Sequence, residues 1–232
     1  MSTISVYQDG NYLESNPSWH VEDSPWKAKQ IEKILRKNNV GAATICEVGC
    51  GAGEILACLA NGYGGNVTFT GYEISPQAFE ICKKKEDERL NFHLKDLLDE
   101  KNASYDVIMA IDVFEHVDDY LGFLRKLQEK GKFKVFHIPL DLSVQSVFRS
   151  SPILDLRNKV GHIHYFTKET ALATLKDAGY EVVDFFYTNN SELPNRGWKA
   201  NLLKFPRNLL FSVHQDMTVR LLGGFSLMVL AK

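Results

Sequence analysis

Thr44-Ile45-Cys46-Glu47-Val48-Gly49-Cys50-Gly51-Ala52-Gly53-Glu54 decides how the rest of the chain is read. An apolar, partly β-branched run ends in an acid. Three glycines spaced by two then lead into Ile55-Leu56-Ala57-Cys58-Leu59-Ala60, which has helical character. The order is strand, tight turn, helix. Glycine suits such a turn because, lacking Cβ, it takes positive φ and lets a ligand lie against the backbone. The helix that follows opens with unpaired N–H groups and a partial positive charge, which favours a carboxylate or phosphate. The dinucleotide fingerprint G-x-G-x-x-G wants a small residue at position 54, where this chain has Glu54. No Tyr-x-x-x-Lys is present either, so a nicotinamide-dependent oxidoreductase is disfavoured.

Outward from this turn, strands and helices alternate. Upstream, Ser24-Pro25 gives a helix start with serine at the N-cap and proline at N1. Ala28, Ile31, Ile34 and Leu35 then make the apolar face of a helix ending near Asn39. Downstream, Val67 to Ile74 reads as a strand closed by Ser75-Pro76, followed by a helix to about Glu86 and a short strand from Leu90 to Leu94. Tyr105 to Ile111 is the apolar run of a strand buried on both faces. Tyr120, Phe123, Leu124 and Leu127 recur at helical spacing, and Phe133 to Ile138 is a fifth strand. After Pro139 the alternation pauses for roughly 27 residues. A helix from Thr167 to Ala178 is then stopped by Gly179, and Glu181 to Thr188 is a sixth strand. A second insertion, residues 189–220, is an apolar stretch broken by Pro206. Phe225 to Ala231 is a terminal strand. This order predicts a parallel α/β sheet with right-handed crossovers.

The 232 residues suit one α/β domain with additions, and 44% hydrophobic residues supply its core. A net charge of −2 without long runs of one sign gives no nucleic-acid footprint. Cys46, Cys50, Cys58 and Cys82 form no C-x-x-C pair and are read as reduced, mostly buried thiols. The N-terminus lacks a signal peptide's apolar segment, and the longest apolar stretch, Leu221 to Ala231, is too short to span a bilayer. A soluble, cytoplasmic protein is expected.

In an open parallel sheet, ligands bind at the carboxyl ends of strands near the topological switch point. Glu73 ends the second strand, where a carboxylate can accept both hydroxyls of a ribose. Asp96-Leu97 follows the third strand, offering a carboxylate to an adenine amino group and an apolar side chain to its ring. The fourth strand ends in Asp112-Val113-Phe114-Glu115-His116-Val117. His116 is the candidate general base, since an unperturbed histidine pKa of about 6.5 suits proton abstraction near neutrality. His162 and His164, alternating on an extended segment, would point the same way. With His116 and a carboxylate they have the donors for a metal, but substrate contacts or hydrogen bonds are the expected role and no metal is assigned. Tyr7, Tyr12, Trp19 and His20 precede the first helix and predict either a lid over the acceptor side, with Tyr7, Trp19 and His20 as candidate substrate contacts, or rings packed on the flank of the domain. In the second insertion the aromatics form a cap over the core. Lys199, Lys204 and Arg207 beside Leu202, Leu203 and Phe205 also permit a peripheral membrane contact.

The set EVGCGAG, YEIS, KDLL and AIDVFEHVDD resembles the class I S-adenosylmethionine-dependent methyltransferases that act on small molecules, especially the ubiquinone-biosynthesis-like group. The resemblance covers about residues 44 to 188, and the C-terminal LLGGFSLMVLAK is similar to that fold's last strand. It implies a Rossmann-like fold: a seven-stranded, mostly parallel sheet with an antiparallel last strand and helices on both faces. It also implies S-adenosylmethionine as cofactor and S-adenosylhomocysteine as product. By this likeness Glu47, Gly49, Gly51 and Gly53 surround the methionine moiety, with Cys50 contributing backbone. Glu73 and Ile74 lie at the ribose, Asp96 and Leu97 at the adenine, and Asp112 and Val113 near the methionine end. Residues 1–40 are then an N-terminal lid and helical segment packed on the core. Residues 41–232 are the methyltransferase domain, with insertions at about 140–166 and 189–220. The expected activity is methyl transfer to oxygen or nitrogen of a small-molecule acceptor, by a monomer or homodimer. The alternatives are a catalytically idle scaffold that binds the cofactor and, behind it, an NAD-dependent oxidoreductase.

Overall fold

The computed structural model describes residue 19, residues 21–193 and residues 198–232. One sheet contains β1 (Thr44–Val48), β2 (Thr68–Glu73), β3 (Leu90–Leu94), β4 (Tyr105–Ile111), β5 (Gly131–Pro139), β6 (Val182–Asn189) and β7 (Phe225–Ala231). Their order is β3-β2-β1-β4-β5-β7-β6. Strands β1 to β5 pair in parallel, while β7 runs antiparallel between β5 and β6. The order reverses between β1 and β4, so the switch point lies where the glycine turn and Asp112 leave their strands.

The helices are α1 (Ser24–Lys37), α2 (Glu54–Gly62), α3 (Pro76–Cys82), α4 (Tyr120–Gln128), α5 (Val144–Arg149), α6 (Ser151–Val160), α7 (Lys168–Asp177), α8 (Trp198–Val213) and α9 (Gln215–Leu222). Successive strand residues point to opposite faces, which splits the apolar residues into two cores. Ile45, Val107, Met109 and Val135 pack with Ile31 and Ile34 of α1 and Leu56 and Leu59 of α2. Cys46, Ile108, Ala110 and Phe136 pack with Leu124 and Leu127 of α4 and Leu175 of α7. With Ile31 and Ile34 fully buried, α1 is an integral layer of the domain.

Capping explains most boundaries. Ser75 caps α3, accepting from Ala78 N at 3.5 Å, and Gly179 at φ 97° follows α7 as expected. Three expectations shift. The cap of α1 is Asp23 rather than Ser24, because the tight turn Val21–Asp23 feeds directly into the helix and Ser24 is buried in its first turn. The helix after β2 ends at Cys82 and tightens into a 3₁₀ turn over Lys83–Lys85. Pro206 does not break α8, which runs from Trp198 to Val213. An interior proline costs about 3 kcal/mol. Contacts beyond it offset that cost: Asn189 donates to Asn208 at 2.8 Å and Phe211 stacks on Phe225 with ring centroids 4.9 Å apart.

Candidate active site

The turn after β1 uses its glycines as the sequence implies. Gly49, Gly51 and Gly53 all have positive φ, at 66°, 53° and 73°. A Cβ on Gly49 would lie 3.1 Å from Val113, and one on Gly53 would lie 2.6 Å from the Phe92 ring. Gly49 N and Cys50 N donate to Tyr72 O at 2.8 and 3.1 Å. The turn is thus stitched to β2 through backbone, and the Cys50 side chain is buried beneath it.

Glu73 completes the stitching. Its carboxylate accepts from Gly51 N (2.7 Å), Ile74 N (2.8 Å) and Ser75 N (2.7 Å). A carboxylate offers about four acceptor positions, so most of Glu73 organises the turn and a minority remains for a ribose. Ile74 gives its N–H to the same group. Burial raises the Glu73 pKa, against the three backbone donors that lower it. At the next strand end, Asp96 accepts from Leu98 N at 2.9 Å and caps the turn Leu97–Asp99. That turn directs Leu97 inward. Its side chain is fully buried among Cys46, Val48 and Tyr72, so it offers no apolar surface to an adenine ring; the partly exposed neighbour is Leu98.

At the switch point Asp112 has φ 55°, a conformation that costs a non-glycine residue about 1–3 kcal/mol. Its carboxylate is gripped by Lys27 Nζ at 2.7 Å and His137 Nδ1 at 2.6 Å, while His137 Nε2 meets Thr188 Oγ1 at 2.9 Å. Burial pushes Asp112 up, but His137 and Lys27 outweigh it and hold the carboxyl well below the usual range. Partial burial lowers the Lys27 pKa, yet Asp112, Asp23 and Glu47 outweigh it and raise it. Glu47 is 2% exposed, and its Oε2 has no hydrogen-bond partner. Burial drives its pKa well up, opposed by Lys27. A half-buried ammonium and a buried carboxyl with an unpaired oxygen therefore act on each other near the glycine turn. Lys27 was missed in the sequence, although its spacing to Ile31, Ile34 and Leu35 places it on the buried stripe of α1.

Beyond Asp112, the turn Phe114–His116 brings in the first insertion. Ile163 N and His164 N donate to Glu115 O at 3.0 and 3.1 Å. His116 Nδ1 is 3.1 Å from Gly161 O, and a carbonyl only accepts, so Nδ1 carries the proton and Nε2 is the basic nitrogen. Burial, then His162, lowers the His116 pKa to about 4. The His162 ring stands edge-on to His116 at 4.8 Å, and its Nδ1 is 2.7 Å from Asp141 Oδ2. Glu115 is fully buried with both carboxyl oxygens unpartnered, and burial, then Asp112, pushes it well up. Ligand atoms of Glu115, His116 and His162 lie within 4.8 Å of one another, a group that could hold a metal ion where the sequence assigned none. His164 does not share this group. Its Nε2 donates to Val117 O at 2.9 Å and its ring lies on Tyr120, because the segment is not a regular strand and the alternation rule does not govern it. Glu115 and Asp141 were the unread members of this cluster. Of the expected substrate contacts, Tyr7 and His20 lie outside the described residues, and Trp19 lies 3.7 Å from where a Cβ on Gly51 would stand.

The chain has relatives among known proteins. The Hydrogenovibrio crunogenus protein named ubiquinone biosynthesis O-methyltransferase is 28% identical over 148 residues, covering 58% of this chain and 60% of that one. Its namesake from Rickettsia typhi is 35% identical over 106 residues, covering 44% and 42%. The chain thus spans about half the length of these curated relatives. Among solved structures, the N-methyltransferase NodS of Bradyrhizobium japonicum, in complex with S-adenosyl-L-homocysteine, superimposes with a TM-score of 0.62 at 15% identity, covering 100% of this chain and 98% of that one. Magnesium protoporphyrin IX methyltransferase from Synechocystis gives 0.60 at 14% identity, covering 89% and 82%. These two share the fold. A family model described as a methyltransferase domain matches residues 21–184, and the chain belongs to that family.

Proposed function

We propose that the chain is an S-adenosylmethionine-dependent methyltransferase acting at oxygen or nitrogen of a small-molecule acceptor. The observation that carries this is the pair Lys27 and Glu47 beneath the glycine turn. One half-buried cation and one buried carboxyl with an unpaired oxygen are complementary to the carboxylate and ammonium of an amino acid. The glycine cradle and the remaining acceptor capacity of Glu73 fit the adenosine end. When bound, the cofactor supplies a methyl group already activated by the sulfonium. The protein's own work is positioning. Glu73 fixes the turn, Asp112 and His137 hold Lys27, and Asp96 offers its carboxylate to the adenine amino group. His116 is uncharged at neutral pH and can take a proton from the acceptor through Nε2. Trp19 beside Gly51 supports the reading of residues 1–23 as a lid that excludes water.

Isothermal calorimetry tests the assignment. S-adenosylhomocysteine should bind with heat and NAD should not; binding of NAD alone overturns it. Methyl transfer to any acceptor from a panel of phenols and amines excludes an idle scaffold.

A further inference from the structure

Ten of the thirteen exposed large apolar side chains among the described residues lie on four helices of the two insertions. Phe148 on α5 is 90% exposed, and Phe205 and Val213 on α8 are 77% and 78% exposed. Their helices form one layer: α5 packs on α6 and α9, and α9 packs on α8. Leu209 and Leu210 on α8 and Met217 and Leu221 on α9 are exposed as well. A helix that merely covers a sheet turns its apolar stripe inward. Here the inward positions are already filled, by Phe211 on Phe225 and by buried Thr218 and Val219, so the exposed residues are additional. Contiguous apolar surface of this kind marks an interaction site.

Charge selects the partner. Among the residues of these helices whose side chains are described, five lysines and arginines stand against two acids, Asp155 and Asp216, in a chain whose net charge is −2. Arg149 and Arg157 are exposed beside the apolar residues of α5 and α6. Pairing with a second copy about a twofold axis would bring like charges together. An anionic lipid surface neutralises them, and bulky apolar side chains flanked by basic ones are what an interfacial helix needs. No helix among the described residues is long and apolar enough to cross a membrane, so the contact proposed is a peripheral one. We propose that the face built by α5, α6, α8 and α9 docks the protein on an anionic bilayer, with Phe148, Phe205 and Val213 below the headgroups and arginines at the phosphates. The face borders the candidate site, because α6 ends at Gly161, whose carbonyl holds His116. The proposal does not depend on the cofactor assignment.

Vesicle flotation with the full chain tests it. Phosphatidylcholine vesicles containing about one third phosphatidylglycerol should carry the protein up, and pure phosphatidylcholine should carry far less. Raising the salt concentration should weaken the binding. Phe148→Glu and Val213→Glu alter side chains that are mostly in solvent, and each should reduce partitioning about tenfold while circular dichroism stays unchanged. If either variant unfolds, Phe148→Ser and Val213→Ser are read in its place, with the same expectation. Absence of binding to the anionic vesicles overturns the proposal, and so does wild-type binding by the double variant. A wild-type dimer in sedimentation that the double variant converts to monomer also overturns it, in favour of a second copy on this face.

Discussion

Lys27 keeps its proton in a partly buried setting because Asp112 stands 2.7 Å away, and Asp112 keeps its charge because Lys27 and His137 both reach it. Neither side chain is stable there alone, since an unpaired buried charge costs several kcal/mol. If Lys27 receives the carboxylate of the cofactor, Lys27→Ala should weaken S-adenosylhomocysteine binding about tenfold or more. Binding of 5′-methylthioadenosine, which lacks the amino-acid end, should hardly change. Equal losses for both ligands in calorimetry would show that Lys27 only supports the fold. His116 makes a separate case. As the base it should be worth about 10² in turnover, so His116→Asn should lower kcat by that order and leave S-adenosylhomocysteine affinity unchanged. A matching fall in cofactor affinity would mark it as a packing residue.

Strand ends set where these side chains stand, and one acid fixes the opposite end of the sheet. Asp106, the second residue of β4, accepts from Ala43 N at 2.9 Å, Thr44 N at 3.1 Å and Thr44 Oγ1 at 3.2 Å, and pairs with Lys132 Nζ at 2.8 Å. The Lys132 bond first, then the two backbone donors, lowers its pKa to about 2. A carboxylate with a depressed folded-state pKa contributes stability that is fully present above its unfolded value of about 3.9 and is lost as pH falls. Asp106→Asn should therefore lower the melting temperature at pH 7, and the gap from wild type should close between about pH 4 and pH 2. Thermal melts across that range check it; a gap that stays constant with pH would assign the effect to lost geometry rather than charge. In the β1–α2 turn the glycine φ values and the Val113 and Phe92 contacts do not titrate, which leaves Glu73 as the titrating group that holds it.

Across the whole molecule, the N-terminal segment meets the glycine turn at Trp19 and the sheet at α1. If residues 1–23 are a lid, S-adenosylhomocysteine should protect them from limited proteolysis, and their unprotected cleavage in its presence would sink the idea. The strand, glycine turn and helix at 44–62 were legible because periodicity and glycine φ are local properties, set by neighbours a few residues away. The succession of strands along the chain and the acids at their ends followed for the same reason, whereas the antiparallel last strand rested on the resemblance to a known family. The N-terminal helix was legible as an apolar stripe, but the meaning of Lys27 on that stripe was not. Its partner is Asp112, 85 residues further on, and no local rule says which distant strand end a helix will meet. Leu97 turned into the core rather than toward a ligand because Asp96 caps a tight turn, which depends on a hydrogen bond and not on composition. His162 and His164 parted because one found Asp141 and the other Val117. The sequence by itself determined the sheet, the glycine turn and which acids stand at the strand ends, since backbone sterics and side-chain period act locally. Only the tertiary structure decided which buried charges pair and which apolar side chains stay outside, because both depend on what distant segments bring within a few ångströms.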